Sequence, residues 1–503
     1  MGVRKEGIAL YRPLRFPTQR RHPPVKHDVN MLEGSPFVKI ILFVLPLIAV
    51  NLLQALYSAA DMMVVGLSGV GDAVGAVGAT SAFTNLLLNL FIGFSSGANV
   101  VAARSNGARD TDSVSRTVHT AITMSLIFGC CGALLGAVFA KPVYVAMGNS
   151  GTLLSLSLLY TYIYLAGLPF LALTNYASAL LHAKGDTKTP LYVLSLTGLF
   201  NVGLNLLFVL ALDMSVDGVA LATSISNLAS AVVLLLALRR TEGAFHLRLR
   251  SLRLDRKIFA EIIRIGLPAG IQASMFSLSN ILIHSSVLQI DRTLAPNAAY
   301  SPVIKGSSVV QNLETFSYAF ANAACSATVT FVSCHDGTRD YRRMPRVIAA
   351  LYIVMMLCCI LPVAVLFLLR DPLLALYDVS LIEGDKLAQI AYDTAITRMV
   401  VIWFSFPLQG LMQVASHILR GLGKSISPML VNVFAVCGIR VLWVYTFFRY
   451  SPDFLTLYLS YPVTWALTFL IMLPMSIVAL RKRARAAAAA IPSIEEKELC
   501  HES

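Results

Sequence analysis

Apolar stretches long enough to cross a lipid bilayer follow one another along this chain from Ile40 to Leu480, separated only by short polar connections. A hydrocarbon core about 30 Å thick needs roughly 20 apolar residues per helical crossing. The first stretches cover approximately 38–66, 76–103, 117–140, 155–181, 190–212 and 217–238. The later ones cover 259–288, 302–333, 346–369, 388–418, 428–449 and 455–480. Backbone polar groups in lipid must be satisfied inside a helix or a closed barrel, and these runs lack the two-residue alternation of barrel strands. The expected fold is all-α integral membrane, with about twelve transmembrane helices. A balance of 56% hydrophobic to 13% charged residues lies outside that of an ordinary soluble domain.

The formal charge of +13 could suggest nucleic acid, so the placement of the positive charges decides. With both termini in the cytoplasm, 32 of the 40 Lys and Arg fall in the tails and even-numbered loops. Seven (Lys141, Arg292, Lys305, Arg370, Lys386, Arg398 and Arg449) lie on the other side or at its edge, and Arg440 is left within a helix. That asymmetry supports twelve crossings with cytoplasmic ends, and the location expected is the cell membrane. Basic residues in short loops between spans do not make a nucleic-acid surface. The first apolar run reaches about Leu67, too long for a signal peptide, and no small-residue cleavage site follows it. The tail after Arg481 reads as a cytoplasmic extension near anionic lipid. Six of eight cysteines lie in apolar spans, Cys334 at a helix end and Cys500 in the tail. Their spacing forms no zinc pattern, and no disulfide or metal site is expected.

The chain repeats itself. An offset of 238 aligns Pro169 with Pro407, Ala177 with Ala415, Ser178 with Ser416, Leu181 with Leu419, Gly185 with Gly423 and Pro190 with Pro428. A slightly different offset aligns Asn-Gly-Ala-Arg-Asp at 106–110 with Asp-Gly-Thr-Arg-Asp at 336–340, and Leu45-Pro46 matches Leu267-Pro268. Six helices per half is an even number, so both halves enter from the same side and the repeat is parallel. The expected organisation is a tail (1–34), a six-helix lobe (35–240), a basic linker (241–258), a second six-helix lobe (259–483) and a tail (484–503). Prolines at matching places leave carbonyls free and permit bends, so Pro46, Pro169, Pro268 and Pro407 are hinge candidates; a fixed kink is the other reading of each.

Leu-Tyr-Ser-Ala-Ala-Asp at 56–61, Gly-Asp-Thr-Lys-Thr-Pro at 185–190, Asn-Val-Gly-Leu-Asn at 201–205, Gly-Val-Ala-Leu-Ala-Thr at 218–223 and Leu-Arg-Gly-Leu-Gly at 419–423 complete a pattern. From Leu32 to about Arg483 the chain resembles the MATE (multidrug and toxic compound extrusion) transporters. The resemblance implies a V-shaped pair of six-helix lobes that exports organic compounds, often cationic and amphipathic, in exchange for H⁺ or Na⁺.

A carboxylate kept near mid-membrane costs about 2.5–3.5 kcal/mol on insertion scales and is a functional candidate by default. Among the 27 acids only Asp61 and Glu314 read as such. Desolvation disfavours the Asp61 carboxylate and a neighbouring cation favours it, which suits a group that alternately holds and releases a proton. By resemblance, Asp61 joins Asn201, Asn205 and Thr223 in a first-lobe cation site. The two asparagines are four apart on one helix face, so their amide oxygens and the Thr223 hydroxyl could converge on Asp61. Some branches of the family carry an acid where this chain has Asn205, which leaves one negative charge there. A solvated helix end for Asp61, and plain interhelical hydrogen bonding for the asparagines, are the alternatives.

Gln311, Glu314 and Tyr318 share one helix face in the second lobe. The resemblance would place acids on the seventh and tenth helices, where this chain has Ser274, Gln409 and Gln413 instead. Arg440 needs a partner at depth, and Glu314 is the acid expected to pair with it, either as a bond that loosens during the cycle or as a permanent brace. Gly69, Gly71, Gly75 and Gly78 fail the spacing of a dinucleotide loop, and Gly71-x-x-x-Gly75 reads as close packing or a turn. No nucleotide-binding domain is seen, and no resident cofactor is expected beyond H⁺ or Na⁺ as coupling ion. The partners expected are small organic substrates and membrane lipid, with the chain a monomer. A lipid-linked oligosaccharide flippase of the same architecture is the nearest rival, and would require a strongly basic cavity. A membrane-embedded enzyme is further off, because the nine histidines form no reactive spacing.

Overall fold

Among the described residues, twelve long helices follow in the order the hydropathy predicts. A computed structural model describes residues 28–490 apart from Gly69, Gly71, Asp72, residues 295–299, Glu383 and Gly384. Most of both tails, with Cys500, lies outside the described residues, as do two of the glycines singled out above. The helices are α1 Pro36–Gly66, α2 Ala73–Gly107, α3 Thr111–Ala146, α4 Gly151–Lys184, α5 Lys188–Ala211 and α6 Val216–Arg240. After the linker come α7 Arg256–Leu294, α8 Pro302–Thr338, α9 Met344–Leu368, α10 Lys386–Gly421, α11 Ile426–Phe448 and α12 Phe454–Ala490. A short helix, Arg370–Leu376, follows α9.

Eleven of these are long and apolar enough to cross a membrane; α8 is long but more polar. Its environment explains the exception. Helix α8 packs against α1, α2, α9 and α10, so much of its surface lies against other helices, where polar side chains are tolerated.

The repeat is visible in the backbone. Gly185 and Gly423 close α4 and α10 at φ 103° and 78°, and Arg109 and Arg339 adopt φ 57° and 56° at matching places after α2 and α8. A left-handed arginine is uncommon, so its recurrence marks two copies of one turn. The candidate hinges Pro46, Pro169, Pro268 and Pro407 all sit inside helices. Pro142, Pro362, Pro462 and Pro474 do as well.

The halves meet along α1 and α2 against α7 and α8. Small residues let the backbones touch, the usual solution where lipid offers no hydrophobic drive to association. A Cβ on Gly93 would stand 2.3 Å from Gly270 N, and one on Gly97 would stand 2.5 Å from Ile262 O. Gly75 meets only ordinary contact, its added Cβ standing 3.6 Å from Leu153 Cδ1, and the close packing among the described residues lies in Gly93-x-x-x-Gly97 and Gly266-x-x-x-Gly270; Gly71 lies outside the described residues. At the end of the seam the contact is reciprocal: a Cβ on Gly107 would meet Cys334 O at 1.9 Å, and one on Gly337 would meet Arg104 O at 2.0 Å. Each glycine faces the residue three positions before its counterpart, as a two-fold relation requires.

An ion network locks the same end. Arg104 of α2 reaches Glu261 of α7 at 2.7 Å and Asp336 of α8 at 3.0 Å, and donates to Gly421 O at 3.3 Å. Tyr341 donates to Asp336, and Arg483 of α12 lies 3.9 Å from it. The seam is thus closed on the side of the basic loops. Toward the opposite side, Asn85 of α2, His284 of α7 and Gln311, Asn312 and Thr315 of α8 are exposed along the long helices of the bundle. Polar side chains on such helices require a water-filled cleft.

Two outcomes are expected of thermal unfolding in detergent. Gly107→Ala should destabilise by about 1–3 kcal/mol through overpacking, while Gly203→Ala, where an added Cβ meets nothing within 4 Å, should not. Arg104→Ala should cost more than Glu261→Ala, because it strips a partner from the buried Asp336 whereas Glu261 is 43% exposed. The reverse order would mean that the network does not hold the seam.

Candidate functional site

Asp61 lies on α1 five residues from its end, about 8 Å along the axis, and faces α5 and α6. Asn205 Nδ2 donates to Asp61 Oδ1 at 2.5 Å. With its amide oriented to suit its neighbours, Asn201 also donates to Asp61 Oδ1, at 3.0 Å, and accepts from the Thr223 backbone N–H at 3.3 Å. That orientation is fixed by the hydrogen-bond network. All four residues expected in the first lobe therefore come together. One detail differs: the Thr223 hydroxyl donates to Val219 O, one turn back on its own helix, so α6 contributes its backbone N–H and not the hydroxyl. A threonine in a membrane helix satisfies its hydroxyl locally when no nearer acceptor is offered.

Asn201 and Asn205 are 6% and 0% exposed, and Asn205 Oδ1 is buried without a partner. A π-helical turn, Leu207–Ala211, follows directly and widens α5 below the asparagines. Two amide donors thus hold the Asp61 carboxyl group, while an unused amide oxygen sits beside it. Oxygen donors of this kind suit a hard cation, and rotation of the amides would turn their oxygens toward a bound Na⁺ or a protonated Asp61.

The second-lobe pair differs from expectation. Glu314 does not bond Arg440. Arg398 of α10 clamps it through two parallel hydrogen bonds, Nε to Oε1 at 2.9 Å and Nη2 to Oε2 at 2.8 Å, and its Nη1 donates to Ser307 Oγ at 3.0 Å. Geometry explains the choice, since both residues stand about 18 Å into their helices, twelve positions from Pro302 and Lys386. They are thus level across a direct α8–α10 contact. Arg398 is buried, although the charge count placed it at the edge. The signal was present, because Arg398 lies ten residues inside its own predicted span, 388–418.

Arg440 is 3% exposed and rests its guanidinium 4.0 Å from the centre of the Tyr461 ring. Tyr318, on the Glu314 face as predicted, packs edge-to-face on Phe406. Ser274 Oγ, Gln409 Oε1 and Gln413 Oε1 are buried oxygens without partners. Arg420, counted among loop charges, is also buried and reaches Gln272 at 3.2 Å. A cavity of about 210 Å³ opens between α7, α8, α10 and α12, lined among others by His284, Gln311, Glu314, Arg398 and Tyr461. Among the described residues no group of His, Cys, Asp and Glu is arranged to hold a transition metal.

The MatE family model matches residues 46–207 and 302–446. A "Probable multidrug resistance protein YoeA" of Bacillus subtilis is 26% identical over 86% of this chain and 91% of its own length. A "Probable multidrug resistance protein NorM" of Thermotoga maritima is 24% identical over 82% of this chain and 86% of its own. Among solved structures, an outward-facing multidrug resistance MATE family transporter superposes with TM-score 0.82 at 19% identity, covering 92% of this chain and all of that one. A transporter from Pyrococcus furiosus, described as having a binding pocket of reverse polarity, superposes at 0.81 and 19% identity over 92% and 99%. The resemblance carried by the sequence motifs is borne out. The chain belongs to the MatE family and is a multi-pass membrane transporter, not an enzyme.

Proposed function

We propose that this transporter is a secondary antiporter that exports organic compounds in exchange for H⁺ or Na⁺ at Asp61, working as a monomer in the cell membrane with both termini in the cytoplasm. The observation that carries the reading is the Asp61 carboxylate held by the Asn201 and Asn205 amides beside the orphan Asn205 oxygen. With the basic loops inside, the sealed glycine and Arg104 seam is the cytoplasmic gate and the polar cleft opens outward. Cation binding at Asp61 rotates the amides, alters the α1–α5 contact and biases the lobes toward the opposite state. The kinks at Pro46, Pro169, Pro268 and Pro407 take up the change. Each charge that crosses contributes about 2.3 kcal/mol per 100 mV, enough for a concentration ratio of tens-fold.

The flippase reading gains from the structure, since Arg398, Arg420 and Arg440 are all buried where only Arg440 was expected to be. Their partners separate it from a broad basic cavity: Arg398 is neutralised by Glu314 and Arg420 sits at the sealed seam.

In proteoliposomes with an imposed pH or Na⁺ gradient, ethidium accumulation by the unaltered chain should follow one gradient, and Asp61→Asn should reduce it to equilibration. Gradient-driven accumulation that is undiminished in Asp61→Asn would remove Asp61 from the mechanism. Flipping of a labelled lipid-linked sugar, with no response of dye to either gradient, would favour the flippase. Truncating the buried pair by Arg398→Ala should cost about 3–5 kcal/mol of stability, most of it recovered in the Arg398→Met/Glu314→Leu double variant, because the loss comes from a stranded charge. A double variant as unstable as the single one would contradict this.

A further inference from the structure

We infer that the second-lobe cavity receives the oxyanion head of an amphipathic substrate, a carboxylate or a phosphate, drawn by the uncompensated charge of Arg440. The inference deepens the transport reading and rests on it for the word substrate, but not for the binding.

Arg398 and Glu314 line the cavity, and Arg440 stands behind the Tyr461 ring that lines it, so two guanidinium groups stand against one carboxylate. Arg398 spends its donors on Glu314 and Ser307. Arg440 has no carboxylate within ion-pair distance among the described residues, and its Nε is buried without a hydrogen-bond partner. Arginine does not lose its proton in proteins, so Arg440 cannot escape burial by neutralising itself. The Tyr461 face, 4.0 Å away, offsets part of the charge, and Tyr461 itself lines the cavity. The positive potential therefore reaches the cavity through a single ring in a low-dielectric wall. His284, Asn280 and Gln311 supply further polar groups to its lining.

The helices are built for a group to enter. A π-helical turn, Met399–Trp403, begins directly after Arg398, and another, Asn432–Gly438, ends two residues before Arg440. Such turns widen a helix locally and recur at functional sites. A volume of about 210 Å³ is below the roughly 300–1,000 Å³ of a site enclosing a whole drug-sized ligand. It fits a charged head, with the apolar body left in the cleft. An arriving oxyanion competes with Glu314 for Arg398, so removing the Glu314 charge must strengthen anion binding.

The three tryptophans, Trp403, Trp443 and Trp465, all lie in the second half. Trp443 is one turn from Arg440, and Trp465 packs on Tyr461 with ring centres 5.6 Å apart. Energy transfer from tryptophan to dansyl therefore reports binding at this cavity. Using the purified full chain in detergent, dansylglycine supplies the carboxylate and dansylamide the uncharged comparison. Arg440→Gln should weaken dansylglycine by about tenfold or more, Arg440→Lys should recover much of that, and dansylamide should change little. Glu314→Gln should tighten dansylglycine several-fold, which keeps the test alive if Arg440→Gln does not fold. Equal dansylglycine affinity in Arg440→Gln and the unaltered chain, parallel loss of both dansyl compounds, or weaker dansylglycine binding in Glu314→Gln would each overturn the inference. Competition in nanodiscs distinguishes the two sources: displacement of dansylglycine by a phosphatidate assigns the head group to lipid, and indifference to phosphatidate assigns it to a soluble compound. Arg440-dependent binding without gradient-driven transport would sink the antiport reading and leave this one standing.

Discussion

A charge withdrawn from water must be neutralised by something the protein brings to it, and the hydrocarbon surroundings of this chain allow few sources. Four charges held away from water are met in four different ways. Asp61 is met by two amide groups, Glu314 by a bidentate guanidinium, Arg440 by an aromatic face, and Asp336 by Arg104 from the other half of the chain. Amides can rotate, an ion pair can exchange partners, and a ring offsets only part of a charge. The same constraint that limits charged residues therefore leaves several of them poised for alternatives.

Packing serves that chemistry. Backbone contact at Gly93, Gly97, Gly107 and Gly337 draws the halves together along one side of the seam, and the Arg104 network reinforces it. Exposed polar groups then collect where the halves part. The two candidate regions are unlike each other despite the repeat: the first holds one carboxylate under neutral donors, the second an excess of guanidinium. A repeat sets the scaffold, while local substitutions set the polarity of each site.

The span positions and the pairing of Gly185 with Gly423 were legible because run length and repetition can be read along the chain; the first-lobe cluster came from the family resemblance, to which the four-residue spacing of Asn201 and Asn205 added only that the two amides share a helix face. The glycine seam was overlooked in favour of Gly71 and Gly75, since a small residue in an apolar run says nothing about which neighbour approaches it. The Thr223 contribution was placed correctly by residue and wrongly by atom, because a hydroxyl chooses among acceptors only once the helix has formed. Arg398 was misread for a related reason. Counting charges near span ends assigns a side of the membrane, but a guanidinium ten residues inside a span belongs to the interior, and its partner is decided by which helix stands level with it.

The amino-acid sequence by itself determined that the chain is a bundle of about twelve helices in lipid, built from two related halves, because hydrophobic run length and internal repetition are properties of the chain alone. The tertiary structure alone decided which charges meet. Glu314 is 84 residues from Arg398 and farther still from Arg440, and only helix packing shows that α10 presents its arginine at the level of Glu314 while Arg440 is turned onto Tyr461. Ion pairing falls off over a few ångströms, a scale on which separation along the sequence carries no information.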